Sequence, residues 1–423
     1  MKKILALAVA KLVHLAARLR GGGSAFPGVI LLKLWPNVLS ETLGSLQLGV
    51  VFVSGSNGKS TTTAMISNML RAHGLQVFSN SAGGNLPQGL AAAIVASSSI
   101  LGKVKADVAV LEVDEAFGPQ IAASLQPGLV VLTNLQVDQL NRFGEPENVY
   151  EMLKSIALRA SKGLFINGAD LNLANLGGEI AQSGIEVNST GVSPALFEKS
   201  MDSAVSVSSE WLVDPSSLMS TKVTLIEAEG ALAEFAFEDS HVTVKLPRPG
   251  LHYALDATLA ISLVMNLLGD RADISLVEKS LSQSVPVFGR GEKISFRGAE
   301  IELVMMKNLP SMQANIRALD STPELVWMSM DEGTPDPSWL YELDLCKIES
   351  VDVVSGSKAW LLAIFLLYRG IPCGQIIEDT AQALAAVSSL AGERNANVTA
   401  IINYEQMMII RRLAGLRKLE TRK

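Results

Sequence analysis

Gly49-Val-Val-Phe-Val-Ser-Gly-Ser-Asn-Gly-Lys-Ser-Thr-Thr-Thr63 is the stretch whose reading decides the fold. Val50 to Val53 is an apolar run suited to a buried strand, and Thr61 to Ala72 places Ile66, Met69 and Leu70 on one face of a helix. Between them, Gly55 and Gly58 let backbone N–H groups approach an anion, reinforced by the partial positive charge of the helix N-terminus. Lys59 has the reach for the β- and γ-phosphates of a nucleotide, and Ser60 or Thr61 offers a hydroxyl to Mg²⁺. The general phosphate loop has a glycine five residues before Gly58, where this chain has Val53; the pattern is the shorter Gly-x-x-Gly-Lys-[Ser/Thr]. Taken alone, such a turn also fits an ordinary strand-to-helix connection.

Downstream, apolar strands and helices alternate. Strands are expected at Leu48 to Val53, Val77 to Ser79, Ala106 to Val113, Gly128 to Thr133 and Gly163 to Asn167, with helices near 61–73, 86–101 and 147–160. That alternation implies an α/β fold with a mostly parallel sheet covered on both faces, whose ligands bind beyond the carboxyl ends of the strands. Leu196 to Thr221 is a serine-rich excursion with weak structure, Lys222 to Leu246 alternates as antiparallel strands do, and Leu251 to Gly269 reads as an apolar helix. A second, smaller α/β pattern begins near Lys293. Its strands are expected at Ile301 to Met306, Leu325 to Ser329 and Val351 to Val354, and its helices at about 311–319, 356–369, 376–391 and 403–417. The expected division is a helical segment at 1–46 packed on the body, a central domain at 47–288 and a C-terminal domain at 289–423, with the boundary in the loop Val285-Pro-Val-Phe-Gly-Arg-Gly-Glu292.

The 423 residues are 48% hydrophobic and 18% charged, so the chain has ample core for two or three domains. A net charge of −7 argues against nucleic acid as a partner. With only Cys346 and Cys373, the chain supports neither a disulfide framework nor a cysteine zinc site, and two buried structural thiols are expected. The opening Met-Lys-Lys-Ile-Leu-Ala-Leu-Ala-Val-Ala is interrupted by Lys11, His14, Arg18 and Arg20, unlike a signal peptide. It reads as an amphipathic helix packed on the body, with membrane-surface contact as the alternative. The longest clearly apolar run is Ala359 to Tyr368, so no spanning segment is expected and the protein should be soluble.

Two polar clusters fall at strand ends. Leu111-Glu-Val-Asp-Glu-Ala116 carries three carboxylates where Mg²⁺ would need one or two, and Glu112 and Glu115 are the candidates. Thr133-Asn-Leu-Gln-Val-Asp-Gln-Leu-Asn-Arg-Phe-Gly144 brings Asn134, Asp138, Gln139 and Arg142 to the same edge, where they would order water or phosphate; a helix cap is the plainer use of such a run. No histidine pair has metal-ligand spacing, and no Gly-x-Ser-x-Gly elbow occurs.

In order and spacing, Gly55-Ser-Asn-Gly-Lys-Ser-Thr-Thr, Leu111-Glu-Val-Asp-Glu-Ala, Thr133-Asn, Asp138-Gln-Leu-Asn-Arg-Phe-Gly-Glu145, Asn167-Gly-Ala-Asp170 and Gly250-Leu-His-Tyr-Ala-Leu-Asp256 resemble the motifs of the Mur ligase central domain. Gly21-Gly-Gly-Ser-Ala-Phe-Pro-Gly28, Val287-Phe-Gly-Arg-Gly-Glu292, Val304-Met-Met-Lys-Asn308 and Asp336-Pro-Ser-Trp339 resemble the MurT branch of that family, the ligase subunit of the lipid II isoglutaminyl synthase. That branch lacks a separate UDP-sugar-binding domain. The resemblance implies a cytoplasmic, ATP- and Mg²⁺-dependent ligase working at the inner face of the cell membrane. It activates the α-carboxylate of D-glutamate in lipid II as an acyl phosphate, which ammonia from a GatD-like glutaminase subunit converts to D-isoglutamine. On this resemblance Gly55, Ser56, Asn57, Gly58, Lys59, Ser60, Thr61, Asn134, Asn167, Asp170, Asp256 and Arg290 bind the nucleotide. Ser60, Thr61, Glu112 and Glu115 serve Mg²⁺, with Lys59 and Glu112 acting in catalysis. Asp336 would complete the partner's Cys-His pair as its third member; by itself it reads as a turn cap before Pro337.

The chain departs from the pattern in places. The four-cysteine zinc ribbon common in the family is replaced by the serine-rich excursion, so no zinc is expected. Tyr253 and Asp256 stand where two asparagines are usual, Asn141 replaces an aspartate, and the spacing before Asp336 and after Asn308 differs slightly. Two other readings stay open: a stand-alone Mur-type or folylpolyglutamate-like amino-acid ligase, and a nucleotide-binding scaffold without catalysis. The absent sugar-binding domain and Asp336-Pro-Ser-Trp339 count against the first, and retention of Lys59, Ser60, Thr61 and the acidic cluster against the second.

Overall fold

The computed structural model describes residues 2–19, 25–80, 84–99, 101–136, 145–201, 222–237, 240–284, 290–319 and 321–416. Strands β1 (Gly49–Ser54), β2 (Val77–Ser79), β3 (Val108–Glu112), β4 (Leu129–Leu132), β5 (Gly163–Ile166) and β6 (Val187–Ser189) build a six-stranded sheet in the order β2-β3-β1-β4-β5-β6. Every neighbouring pair in it is parallel. Strands covered on both faces read as unbroken apolar runs because each alternate side chain meets a different core. In β1, Val50 and Phe52 enter one cluster while Val51 and Val53 enter the other.

The first cluster is roofed by the helices Lys2–Leu19, Phe26–Leu34 and Pro87–Ser97 through Ala6, Leu7, Ala10, Leu31, Leu90 and Ile94. The second is covered by the helices Lys59–Ala72 and Leu251–Leu268 and by a sheet of β7 (Gly191–Val192), β8 (Val223–Glu229), β9 (Leu232–Phe237) and β10 (Ser240–Lys245). That sheet runs β10-β9-β8-β7, antiparallel except for the β7–β8 pair.

A third sheet follows, from β11 (Arg290–Phe296), β12 (Ala299–Met305), β13 (Leu325–Ser329), β14 (Val351–Ser355), β15 (Cys373–Ile377) and β16 (Val398–Ile402), in the order β11-β12-β16-β13-β14-β15. Only β11–β12 is antiparallel. The molecule is thus α/β, with two mostly parallel sheets and a small antiparallel one.

The structure corrects several expectations. β15 and β16 had no counterpart in the sequence reading, and the helix expected over 376–391 begins at Thr380 because Ile376 and Ile377 complete β15, opposite Val354 and Ser355. Residues 196–201 are not weakly structured but finish the helix Pro194–Met201; the serine-rich stretch 202–221 lies outside the described residues, as do the loop 21–24 and residues 285–289 of the expected boundary loop 285–292, whose residues 290–292 begin β11 instead of forming loop. Neither cysteine is buried in the core: Cys346 is exposed and Cys373 half-buried, and both are free thiols. Leu251–Arg271 is long and apolar enough to cross a membrane, contrary to the expected absence of such a run, but Ala257, Ile261 and Val264 are buried in the second core cluster. His73 joins two helices: its Nδ1 donates to the Met69 carbonyl at 2.7 Å and its Nε2 accepts from the Asp273 N–H at 3.0 Å.

Candidate nucleotide-binding site

In the order β2-β3-β1-β4, the chain leaves β1 toward one edge of the sheet and later returns on its other side, so the direction of winding reverses at β1. A crevice opens beyond the carboxyl end of a strand at such a reversal. The turn 55–58 occupies it. Gly55 and Gly58 have φ of +129° and +81°, a region that side chains rarely adopt. Space forbids a side chain as well: a Cβ on Gly55 would lie 2.3 Å from Thr133 Oγ1, and one on Gly58 would lie 2.3 Å from Asp256 Oδ1.

The loop after β4 holds the turn in shape. Asn134 spends both ends of its amide on Asn57, accepting from its N–H at 2.9 Å and donating to its carbonyl at 3.1 Å. Ser56 Oγ donates to the Gln136 carbonyl at 3.0 Å and accepts from the Gln136 N–H at the same distance. Asn134 is therefore a support of the phosphate turn. Asp138, Gln139, Asn141 and Arg142 lie outside the described residues.

Lys59 Nζ reaches back over the turn to the Gly55 carbonyl, lies 3.3 Å from the Ser56 carbonyl, and makes an ion pair of 2.8 Å with Glu115 Oε1. Both side chains are largely shielded from water, at 10% and 4% exposure, so their attraction is little screened. Glu112 ends β3 opposite Val53 of β1. Asn80 grips its backbone, donating to the Glu112 carbonyl and accepting from its N–H, both at 2.8 Å. Its Oε1 takes a weak 3.3 Å bond from Asn85, whereas its buried Oε2 has no hydrogen-bond partner among the described residues.

An orphaned carboxylate oxygen in a dry setting is costly unless a cation or donor completes it. Mg²⁺, which takes one or two carboxylates together with hydroxyls, phosphate oxygens and waters, fits that demand. Glu112 and the hydroxyl-bearing first turn at Ser60 and Thr61 are the residues to hold it. Glu115 is the counter-ion of Lys59 in this arrangement. Among the described residues no three of His, Cys, Asp and Glu cluster as a metal cage, so a dedicated all-protein site is not what the ion would find.

A cavity of about 410 Å³ opens beside the turn. Asn57, Gly58, Thr61, Asn134, Asn167, Asp170 and Asp256 of the expected set line it. Asp256, expected to bind the nucleotide, has its carboxylate against Gly58, at the phosphate end. Asp170 caps the helix Leu171–Gln182 and accepts from the N–H groups of Leu135, Asn172 and Leu173 at 2.6, 3.0 and 3.2 Å. Burial outweighs these donors and pushes its pKa up to about 6.

The opposite wall comes from the third sheet. Lys307 Nζ donates to the Ser56 carbonyl at 2.9 Å and lies 3.3 Å from Asn57 Oδ1, and Asn308 Nδ2 donates to Asn57 Oδ1 at 3.2 Å. Lys307, Gln313 and Arg317 line the cavity with Arg248 and His252. None of these five was expected there. Lys307 and Asn308 lie in a motif that the sequence reading singled out, but their role depends on a contact across some 250 residues of chain. Arg290 begins β11, and its side chain lies outside the described residues.

Asp336 does not line the cavity. It is exposed in the loop after β13, its Oδ1 accepting from the Ser338 N–H at 3.0 Å at the start of the short helix Ser338–Glu342. Bonds from the backbone and side chain of Ser338 hold its carboxyl below the usual range.

A reversal-point phosphate turn, a buried lysine and an incompletely bonded carboxylate together define a nucleotide-binding α/β protein. The Mur ligase middle domain model matches residues 53–264, half of the chain, and the chain belongs to the Mur ligase family; it is a ligase. It is 25% identical to the lipid II isoglutaminyl synthase (glutamine-hydrolyzing) subunit MurT of Streptococcus pneumoniae, over 99% of this chain and 98% of that one. It is 32% identical to the MurT subunit of Staphylococcus aureus, over 40% of this chain and 38% of that one. Among solved structures, MurF of Thermotoga maritima in complex with ADP superposes with a TM-score of 0.63 at 21% identity, covering 94% of this chain and 85% of that one. Folylpolyglutamate synthase of Mycobacterium tuberculosis with ADP gives 0.68 at 15% identity, covering 97% and 99%.

Proposed function

We propose that this protein is the ATP-dependent ligase subunit of an enzyme that amidates lipid II, working in the cytoplasm at the inner face of the cell membrane. A carboxylate oxygen of the D-glutamate α-carboxyl attacks the γ-phosphorus of ATP, the bond to the β-phosphate oxygen breaks, and ADP leaves. Ammonia from a glutaminase partner then attacks the acyl carbon of the resulting acyl phosphate. Inorganic phosphate departs, a proton is lost, and D-isoglutamine remains.

The N–H groups of the turn 55–58 and the start of the helix Lys59–Ala72 cradle the phosphates. Lys59 supplies positive charge toward the transferring group, and its ion pair with Glu115 orients it. Lys307 adds a second cation from the opposite wall. When bound by Glu112 and Ser60 or Thr61, Mg²⁺ neutralises charge on the β- and γ-phosphates. The part-buried bonds of Asn134, Thr133 and Gln136 fix the turn before nucleotide arrives, so little reorganisation opposes catalysis.

The observation that carries the reading is a complete phosphate turn in a chain that also exposes Asp336 beside an unpartnered apolar stripe. The helix Ala359–Tyr368 turns Trp360, Ile364, Leu367 and Tyr368 outward, 60–78% exposed, at spacings of four, three and one. Tyr341, in the short helix that follows Asp336, meets Tyr368 edge-on at 5.3 Å. Such a patch supports a protein partner at this end of the third sheet, and the partner needed is one that supplies nitrogen. The family likeness to a glutamine-hydrolysing synthase subunit supports the same reading.

The test is co-purification with a glutaminase subunit, then amidation of lipid II with glutamine, ATP and Mg²⁺, read by mass spectrometry. Amide formation only by the pair supports the proposal. ATP-driven addition of an amino acid by the chain alone would favour a stand-alone ligase, a reading with which the folylpolyglutamate synthase fold is compatible. Binding of ATP without either reaction would make the chain a scaffold.

A further inference from the structure

The helix Lys2–Leu19 has two apolar faces. One carries Ala6, Leu7 and Ala10 into the first core cluster. Lys11 and Lys3 fasten the helix in that orientation: Lys11 Nζ donates to the carbonyls of Val95 and Ser98 at 2.8 and 2.7 Å, and Lys3 pairs with Glu41 over the Trp35 ring. The other face carries Ile4, Leu5, Leu12 and Leu15, between 43% and 68% exposed. At 100° per residue these four fall within about 100° of the circumference, so they form one stripe. The neighbouring helix Phe26–Leu34, packed against the first, adds Phe26, Val29 and Leu34, each about half exposed or more.

Charge names the occupant. Residues 1–41 hold Lys2, Lys3, Lys11, Arg18, Arg20 and Lys33 against the single acid Glu41, a charge of +5; a total of −7 leaves −12 on the remainder. A second copy docking through the same face would set two such basic surfaces against each other. An anionic surface that also accepts apolar side chains satisfies both features.

We propose that this face seats the protein on an anionic lipid bilayer, with the exposed leucines among the acyl chains and the exposed Lys2 and Lys33 at the headgroups. The inference rests on the surface residues and is independent of the assigned substrate. It would bring the nucleotide cavity to a substrate carried in the membrane.

The experiment is flotation of the full chain with phosphatidylglycerol–phosphatidylcholine vesicles and with pure phosphatidylcholine vesicles, at low and high salt and without lipid II. Wild type should float with the anionic vesicles, and less in high salt or on neutral vesicles. Leu12→Glu combined with Leu15→Glu should lower vesicle partition roughly tenfold or more, with an unchanged thermal unfolding midpoint and ATP affinity, since neither residue is buried. Should that variant fail to fold, Lys2→Glu with Lys33→Glu, both exposed, should remove the anionic preference. No flotation of wild type, or flotation insensitive to these changes, would overturn the proposal. So would a solution dimer that the leucine substitutions dissolve, since it would identify a second copy as the occupant. Loss of lipid II amidation with vesicle binding intact would count against the substrate assignment alone.

Discussion

Glu112 and Asp336 are carboxylates placed alike in two parallel sheets, one at the end of β3 and the other in the loop after β13, yet their surroundings are opposite. Glu112 is 5% exposed and has one oxygen unbonded among the described residues, whereas Asp336 is bathed in solvent and engaged by the Ser338 turn. A buried, unfinished group asks to be completed by something small enough to enter, a cation. An exposed and already ionised one acts only on what docks from outside. The same α/β architecture therefore offers an internal site at one sheet and an external one at the other, and separate perturbations should tell them apart.

The sharpest break should come at Lys59. Lys59→Ala removes the cation over the turn and strands Glu115, and ATP-dependent turnover should fall roughly 10²-fold or more with either nitrogen source; normal turnover in a steady-state assay would remove Lys59 from catalysis. Asp336→Asn should act on one nitrogen source alone. Glutamine-driven amidation should fall by roughly 10²-fold while amidation with added ammonium stays near wild type, and equal loss with both would erase the contrast between the two carboxylates. Glu112→Gln tests the internal site, raising the Mg²⁺ concentration for half-maximal ATP turnover on the order of tenfold. An unchanged requirement would assign the ion to other residues.

Smaller effects should follow from the walls. Lys307→Ala removes a charge-assisted contact from the third sheet to the turn, and ATP affinity measured by calorimetry should weaken about tenfold with little change in melting temperature. Asp170 gives a stability signature. Because its folded pKa of about 6 lies above the ordinary 3.8, the folded state binds a proton that the unfolded state does not between those values. Its contribution to stability therefore grows as pH falls from 7 through 6 toward 4, by on the order of 1–3 kcal/mol. Asp170→Asn should flatten that dependence relative to wild type in urea unfolding at pH 4.5 and 7.5, at a roughly constant cost of about 1 kcal/mol for the bond lost from the Leu135 N–H.

The phosphate turn was legible because its parts are contiguous: strand, two glycines, lysine and helix must follow one another for the N–H groups to converge. Glu112 and Glu115 were legible for a related reason, since a parallel strand beside β1 delivers its end to the same edge. Their division of labour was not, because Lys59 chooses Glu115 through side-chain geometry. β15 escaped notice because Cys373-Gly374 is a poor strand opening and its last residues were read into the following helix, and β16 because no strand was placed between the helices expected over 376–391 and 403–417. Lys307 could not be placed at the turn from spacing, since its position depends on how one wall of the third sheet meets the first.

By itself, the sequence determined the local devices of this protein: the short Gly-x-x-Gly-Lys turn, the acidic strand end, the α/β alternation and the basic residues 1–41. All of these are written in neighbouring residues or in simple composition. Only the tertiary structure decided that Asn134 spends its amide on the turn, that Glu112 has an oxygen without a partner among the described residues while Glu115 takes the lysine, and that Asp336 stands in solvent beside an apolar stripe. Those outcomes depend on which side chains meet across long stretches of chain and on how much water remains between them, and contact and dielectric are properties of the packed molecule.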